Sequence, residues 1–307
     1  MNPAQPARLL VITLSNIGDL VLTTPVLETL AAHHPGAAID VVGDARSIDL
    51  LAAAPWAGTL HCRDKRAGLA AQLALLRTLR QYRYRAVVDL RTPILPWLLR
   101  AERRLAKRGR APVGEHAAAD HFRVLAPLIG AAQPPWCRVH LEPAAEADAA
   151  ERLRALPGHR WLALAPGANW PGKRWPVEHY RTLIRLARHD FDGAIVIGGP
   201  ADAAACAALD GAGLPLLSTA GHTRLPVAAA LLARAALFVG NDSGPGHVAA
   251  AVGVPTLTLF GPGNPQRYRP WGACCALALA PAEVLAELTP EAAYAALTAL
   301  AARTGMR

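Results

Sequence analysis

The sequence predicts an α/β protein built from two doubly wound, Rossmann-like domains that face each other across a cleft. Three observations predict it. Short β-branched runs alternate with Ala/Leu-rich helical stretches, the pattern of parallel sheets flanked by helices. The alternation occurs twice, interrupted by the Pro-containing segment Gln133-Pro134-Pro135-Trp136 to Pro143, and Pro-Pro disfavours both helix and central strand. At 307 residues the chain is long enough for two domains, each with its own core. The expected domains are 1–143 and 144–307.

In the first half the β-branched runs predict strands near Arg8 to Leu14, Ile39 to Gly43, Gly58 to His61 and Ala86 to Leu90. Helices are expected between them near Leu20 to His33, Ser47 to Ala54 and Leu69 to Tyr82. In the second half the strands fall near Trp161 to Ala165, Ala194 to Gly198, Leu214 to Leu217, Leu237 to Gly240 and Thr256 to Phe260. Their helices fall near Val177 to His189, Ala201 to Ala208, Val227 to Arg234 and Pro245 to Val252, and a charged helical stretch, Ala144 to Leu156, follows the Pro-containing break. Ligands of such sheets bind beyond the carboxyl ends of the strands, so the turns after the strands are where chemistry is sought.

The composition is globular: 52% hydrophobic with 5% aromatic residues. A net charge of +9 admits nucleic acid, a membrane surface or an anionic substrate as partner. Residues 1–140 hold 18 Lys+Arg against 10 Asp+Glu, and residues 141–307 hold 14 against 13, so the excess belongs to the first half. All cations but Lys65, Lys107 and Lys173 are Arg, which makes a Lys the unexpected choice where it occurs. Five scattered cysteines without CxxC spacing argue against a disulfide framework or a zinc site and fit reduced thiols in the cytosol. The run Leu9 to Leu14 is too short for a signal-peptide core. The longest uncharged apolar stretch, Ser243 to Gly263, is broken by Pro245, Pro255 and Pro262, so any membrane contact is expected to be peripheral.

Five segments carry candidate chemistry. After the first strand, Ser15-Asn16-Ile17-Gly18-Asp19 places Asp19 at or near a helix N-terminus, either as a cap or as an exposed general base. After the first strand of the second half, Pro166-Gly167-Ala168-Asn169-Trp170-Pro171-Gly172-Lys173-Arg174-Trp175-Pro176 joins a permissive backbone to two cations. It reads as a surface turn or as a phosphate site, where a compact ammonium suits a phosphate oxygen. Gly240-Asn241-Asp242-Ser243-Gly244-Pro245-Gly246-His247 leads a strand into a helix, whose exposed N–H groups suit a diphosphate, although Asp242 and Ser243 are also ordinary capping residues. Phe260-Gly261-Pro262-Gly263-Asn264-Pro265 should line the same edge. None of these is GxGxxG, so a nicotinamide dinucleotide is not favoured. The fifth, Arg100 to Arg110, holds six cations and one acid, a pattern that is usually a solvated face.

In order and spacing these motifs resemble glycosyltransferase family 9, the ADP-heptose:lipopolysaccharide heptosyltransferases, from about Arg8 to Gly272. The resemblance rests on Gly18-Asp19 with Thr24-Pro25, on Pro166-Gly167-Ala168 to Lys173-Arg174-Trp175-Pro176, and on Gly240 to His247 with Phe260-Gly261-Pro262. It implies the two-domain GT-B fold and transfer of a heptose with inversion at the anomeric carbon, with no metal and no cofactor. The N-terminal domain would take the acceptor and the C-terminal domain the nucleotide sugar. By position, Asp19 matches the proposed base and Lys173 a residue that holds the donor phosphates. Asp242, Ser243, Gly244 and His247 match the donor-binding turn, and Asp202 falls where the family commonly has a ribose-binding Glu. Asn169 and Ala168 stand where relatives can carry hydroxyls, so phosphate contacts there are expected mainly from backbone N–H groups. Gly246 replaces a bulkier residue.

The implied partners are ADP-heptose or a related nucleotide sugar, and an anionic lipopolysaccharide core precursor at the cytosolic face of the inner membrane. Nucleic acid is disfavoured, because no helix-turn-helix or zinc motif accompanies the charge. On this reading the basic run, with Arg100, Arg103, Arg104 and Lys107, supplies an acceptor or membrane-surface field. The competing readings are a nucleotide-sugar epimerase of the same fold and a non-catalytic nucleotide-sugar-binding protein.

Overall fold

The first apolar run forms a central strand, because Leu9, Leu10, Val11 and Ile12 are all buried, as a strand covered on both faces requires. The computed structural model describes residues 7–64, 67–91, 94–107, 109 and 111–305, so Arg108 and Arg110 of the basic run lie outside the described residues. The chain divides into two units, Met1–His140 and Leu141–Arg307.

The N-terminal unit runs β1 (Arg8–Ile12), α1 (Ile17–Val21), α2 (Thr24–His33), β2 (Ala38–Gly43), β3 (Ala57–Cys62), α3 (Leu69–Leu79), β4 (Tyr84–Asp89), β5 (Ala101–Ala106), α4 (Ala117–Phe122) and α5 (Ala126–Ile129). Its sheet has the order β3-β2-β1-β4-β5 and every pairing is parallel. The chain winds from β1 toward β3 and then returns to β4 on the other side. The topological switch therefore lies between β1 and β4, beside the Asn16–Asp19 turn. Leu10, Ile12, Val42, Leu79, Tyr84, Val87 and Leu99 form one core of this unit.

Two local features depart from the sequence reading. The helix expected over Leu20 to His33 is two helices, because Pro25 has no N–H with which to continue α1. The Thr23 and Thr24 hydroxyls donate instead to the carbonyls of Leu20 (2.6 Å) and Val21 (2.7 Å) at the break. The charged run, to which the sequence assigned no element, forms an edge strand over Ala101–Ala106, and the exposed Glu102 and Arg103 mark it as an edge that will not accept a further strand.

The C-terminal unit runs α6 (Pro143–Leu153), β6 (Trp161–Ala165), α7 (Val177–Leu186), β7 (Gly193–Val196), α8 (Ala203–Ala207), β8 (Leu216–Ser218), α9 (Leu225–Ala233), β9 (Leu237–Asn241), α10 (Gly244–Ala251), β10 (Thr256–Phe260), α11 (Pro265–Tyr268), β11 (Cys275–Leu279) and α12 (Pro290–Arg303). The parallel sheet has the order β11-β10-β9-β6-β7-β8, and its switch point is between β6 and β9, with Ala165 opposite Gly240. Leu162, Leu164, Leu257 and Leu259 of the sheet share a core with Leu183 and Ile184 of α7 and Leu297 and Leu300 of α12. The two turns richest in candidate residues follow β6 and β9, the pair of strands where such a sheet opens a crevice.

Candidate functional site

Asn241 ends β9 with its side chain fully buried, where an amide must find partners for all its polar atoms. Its Oδ1 accepts from the Trp175 backbone N–H (3.1 Å) and lies 3.0 Å from the Tyr180 hydroxyl, while its Nδ2 donates to the Pro166 carbonyl (2.7 Å). A longer contact reaches the Gly167 carbonyl at 3.4 Å. One amide thus ties the turn after β9 to both ends of the turn after β6. Trp175 anchors the far end: its ring is buried, stacks edge-on against Tyr180, and donates from Nε1 to the Leu288 carbonyl (2.8 Å).

Within that frame the Lys173 ammonium donates to the Asp242 carboxylate, whose side chain is almost wholly buried. Gly263 lies against the pair: a Cβ added there would stand 3.5 Å from Asp242 Oδ2 and 3.7 Å from Lys173 Nζ. The loop after β10 therefore lines the same pair of side chains. Ser243 occupies the N-cap position of α10, yet its hydroxyl donates to the Asn241 carbonyl (3.3 Å) and caps nothing. The N-cap side chain thus leaves the start of α10 uncapped, and the Gly244 N–H and the positive end of the helix are features that suit an anion. His247 is buried in the first turn of α10. At Gly246 an added Cβ would meet only ordinary contacts, 3.5 Å from Phe238 and 3.7 Å from Thr258, so the backbone there has room for a small side chain.

Asp202 reaches this site from the turn after β7. Its Oδ2 accepts from the Gly199 N–H (2.9 Å), and its carboxylate packs so closely on Gly167 that an added Cβ would stand 2.2 Å from it. Gly167 is thus required by the approach of Asp202. Asn169 is exposed on the same turn, followed by the exposed Trp170. The structure accordingly gathers Lys173, Asp242, Ser243, Gly244, Gly263 and Asp202 around the β6–β9 switch, with Asn169 on the adjoining turn.

In the N-terminal unit Asp19 is the third residue of α1 and not its cap, which is Asn16. The Asn16 amide donates to Asp19 Oδ2 (2.9 Å), fixing a half-exposed carboxylate beside the β1–β4 switch. Arg91, which follows β4, reaches this turn. Its guanidinium donates to the Ser15 hydroxyl (3.0 Å), and its backbone N–H donates to Asp89 (2.8 Å). Burial and the neighbouring Arg63 guanidinium lower the Arg91 pKa, as expected of two cations held at one edge.

The four cations of the basic run are not brought together. Arg100 precedes β5 at its amino end, and Arg103 is exposed in the strand. Arg104 is engaged by the carbonyls of Pro96 and Leu99, each at 3.0 Å. Lys107 leaves β5 at its carboxyl end and pairs with the buried Asp120 (2.6 Å), which also accepts from Arg123 (2.6 Å). Asn241 and Arg91 are absent from the sequence-derived site. A lone Asn ending an apolar strand was the signal for the first, and the position of Arg91 just beyond a strand was the signal for the second. Among the described residues no three His, Cys, Asp or Glu side chains converge to hold a metal ion.

Comparison with known proteins gives one consistent result. The model of glycosyltransferase family 9 (heptosyltransferase) matches residues 98–295. Lipopolysaccharide heptosyltransferase 3 of Escherichia coli K12 is 29% identical, across 83% of this chain and 82% of that protein. Among solved structures, a family 9 glycosyltransferase from Veillonella parvula superposes with a TM-score of 0.86 at 22% identity, covering 97% of both chains. The E. coli ADP-heptose lipopolysaccharide heptosyltransferase II does so at 0.82 and 23% identity, covering 97% of this chain and 99% of that one. These two likenesses establish the fold as the GT-B type of the solved heptosyltransferases.

Proposed function

The chain belongs to glycosyltransferase family 9, the heptosyltransferases, and on that premise we propose that it moves a heptose from ADP-heptose to a lipopolysaccharide inner-core acceptor. The observation that carries the reading is the donor turn itself. Asn241 holds together the two turns at the β6–β9 switch, and between them stand the Lys173–Asp242 pair and the uncapped start of α10. A cation with a helix N-terminus is what a nucleoside diphosphate requires.

The proposed step is a displacement with inversion. Asp19 takes the proton of an acceptor hydroxyl, and that oxygen forms a bond to the anomeric carbon as the bond from that carbon to the diphosphate oxygen breaks. The electron pair leaves with ADP. Lys173 and the Gly244 N–H at the start of α10 stabilise the charge that gathers there, and Asp242 holds the ammonium in place before the donor arrives. Asp202, seated on Gly167, is the proposed ribose contact, with Asn169, Ser243 and His247 completing the donor site. On the acceptor side, Arg91 and Arg63 at the edge beside Asp19 suit the anionic groups of a core precursor better than the dispersed cations of β5. No described helix is long and apolar enough to cross a membrane, and the proposed place of action is the cytosolic membrane face, reached peripherally.

The test is ADP release by the purified chain. Release from ADP-heptose that depends on added truncated lipopolysaccharide supports transfer. Conversion of the donor sugar without acceptor would favour an epimerase, and donor binding without turnover on any core acceptor a binding protein.

A further inference from the structure

Away from the proposed reaction site, the N-terminal unit holds a cavity of about 310 Å³ lined by His33, His34, Arg85, Glu102, Arg103 and Leu128. It is assembled by the winding of the sheet. Helix α2 runs back against the strands, so the residues at its C-terminal end meet the amino halves of β4 and β5. Ala86 pairs with Arg103 and Asp89 with Ala106, which at about 3.3 Å per residue sets the cavity roughly 10 Å down the strands from the edge that carries Asp19.

The charge in this cavity is one-sided. Two guanidinium groups and two imidazoles face a single carboxylate, Glu102, which lies 3.6 Å from a further cation, Arg83. His34 registers the imbalance: burial lowers its pKa, and Arg85, His33 and Arg103 lower it further with no carboxylate opposing them. Its Nε2 is sealed from solvent and has no hydrogen-bond partner among the described residues. Two guanidinium groups and two imidazoles around one carboxylate give the cavity a net positive field, which suits an anion.

We propose that this cavity is a second anion site that takes a phosphate group through Arg85 and Arg103, with His33 and His34 beside it. A guanidinium pair is the donor set suited to phosphate oxygens, and the volume is at the lower end of that of small-ligand pockets, about 300–1,000 Å³. The phosphate can come from solution or from a lipid headgroup, and the two sources separate in the test.

The experiment follows the His33 and His34 ring signals of the full chain, labelled at histidine, by NMR. One arm adds inorganic phosphate at constant ionic strength; the other adds phosphatidylglycerol vesicles with phosphatidylcholine vesicles as control. The site predicts saturable shifts confined to these rings, with the His34 pKa rising on occupancy by about one unit, as an opposite charge within a few ångströms produces. Saturation by inorganic phosphate identifies a free-phosphate site, and response to phosphatidylglycerol alone identifies a headgroup site. The Arg85→Gln/Arg103→Gln variant, altered at two exposed positions and checked for folding by circular dichroism, should weaken either response at least tenfold. The proposal is overturned if neither arm saturates, if chloride gives the same shifts, or if the double variant responds like the parent. None of these readouts uses transfer activity, so they stand apart from the proposed reaction.

Discussion

Asn241→Ala removes the fully buried side chain that joins the backbones of the turns after β6 and β9, leaving the Lys173–Asp242 pair as a second link between them. Two backbone groups lose a buried partner, the Trp175 N–H and the Pro166 carbonyl. The Tyr180 hydroxyl does not, because the Ala165 carbonyl lies 3.2 Å away. Each buried orphan costs about 1–3 kcal/mol, so the two together should destabilise the C-terminal unit by about 2–6 kcal/mol. For a unit of this size each kcal/mol lowers Tm by about 2–4 °C, which predicts a fall of roughly 4–24 °C in thermal unfolding. The same variant should bind ADP at least tenfold more weakly at a temperature where it is fully folded, because Pro166 and Trp175 no longer hold Lys173 and the α10 start in register. Calorimetric unfolding with ADP titration measures both. A variant that melts within 1 °C of the parent by calorimetry and binds ADP equally would refute the claim that this amide organises the site.

Three further outcomes follow from the same geometry. Asp19→Asn should lower transfer by about 10²–10⁴-fold, the range of a lost general base, while ADP affinity by calorimetry stays within about twofold. Lys173→Ala should cost about 10²–10³-fold in kcat/KM for the donor, since it removes a charge that stabilises the leaving diphosphate and leaves Asp242 opposing it. Burial pushes the Cys206 thiol up to about 12 from an ordinary value near 9. The folded state therefore favours the neutral thiol, and its contribution to stability is complete below pH 9 and lost as pH rises from there toward 12. At pH 8 only about 10⁻⁴ of that thiol is thiolate, so maleimide should label the exposed Cys62 and leave Cys206 intact until the chain unfolds, as read by mass spectrometry.

Much of this arrangement is legible in the sequence because parallel strands buried on both faces are written as unbroken apolar runs. Trp161–Ala165 and Thr256–Phe260 are strands at the bounds that such runs predict. The motif order that resembles family 9 led to the family that the comparison finds. What failed to show were elements whose sequence answers to another constraint. The strand Ala101–Ala106 is hidden by Glu102, Arg103 and Arg104, because an edge strand is kept from pairing by charge and so loses its apolar signature. Cys275–Leu279 and Pro290–Arg303 fall in Ala/Leu-rich sequence where strand and helix share one composition. At the site, residue types such as Lys173 and Asp242 were readable, but their pairing was not, since they stand 69 positions apart and meet only through the β6–β9 switch. Asn241 was visible as part of the Gly240–His247 motif but not as its organiser, because its main partners, the Trp175 N–H and the Pro166 carbonyl, are backbone groups that no side-chain pattern announces.

The most direct test of the central claim is mass spectrometry of the acceptor. The purified chain is incubated with truncated lipopolysaccharide and, in parallel, with ADP-heptose and other nucleotide sugars. The account predicts that the acceptor gains one heptose with ADP-heptose, and that this product disappears with Asp19→Asn and Lys173→Ala. An acceptor left unmodified by ADP-heptose, or modified equally by both variants, would contradict it.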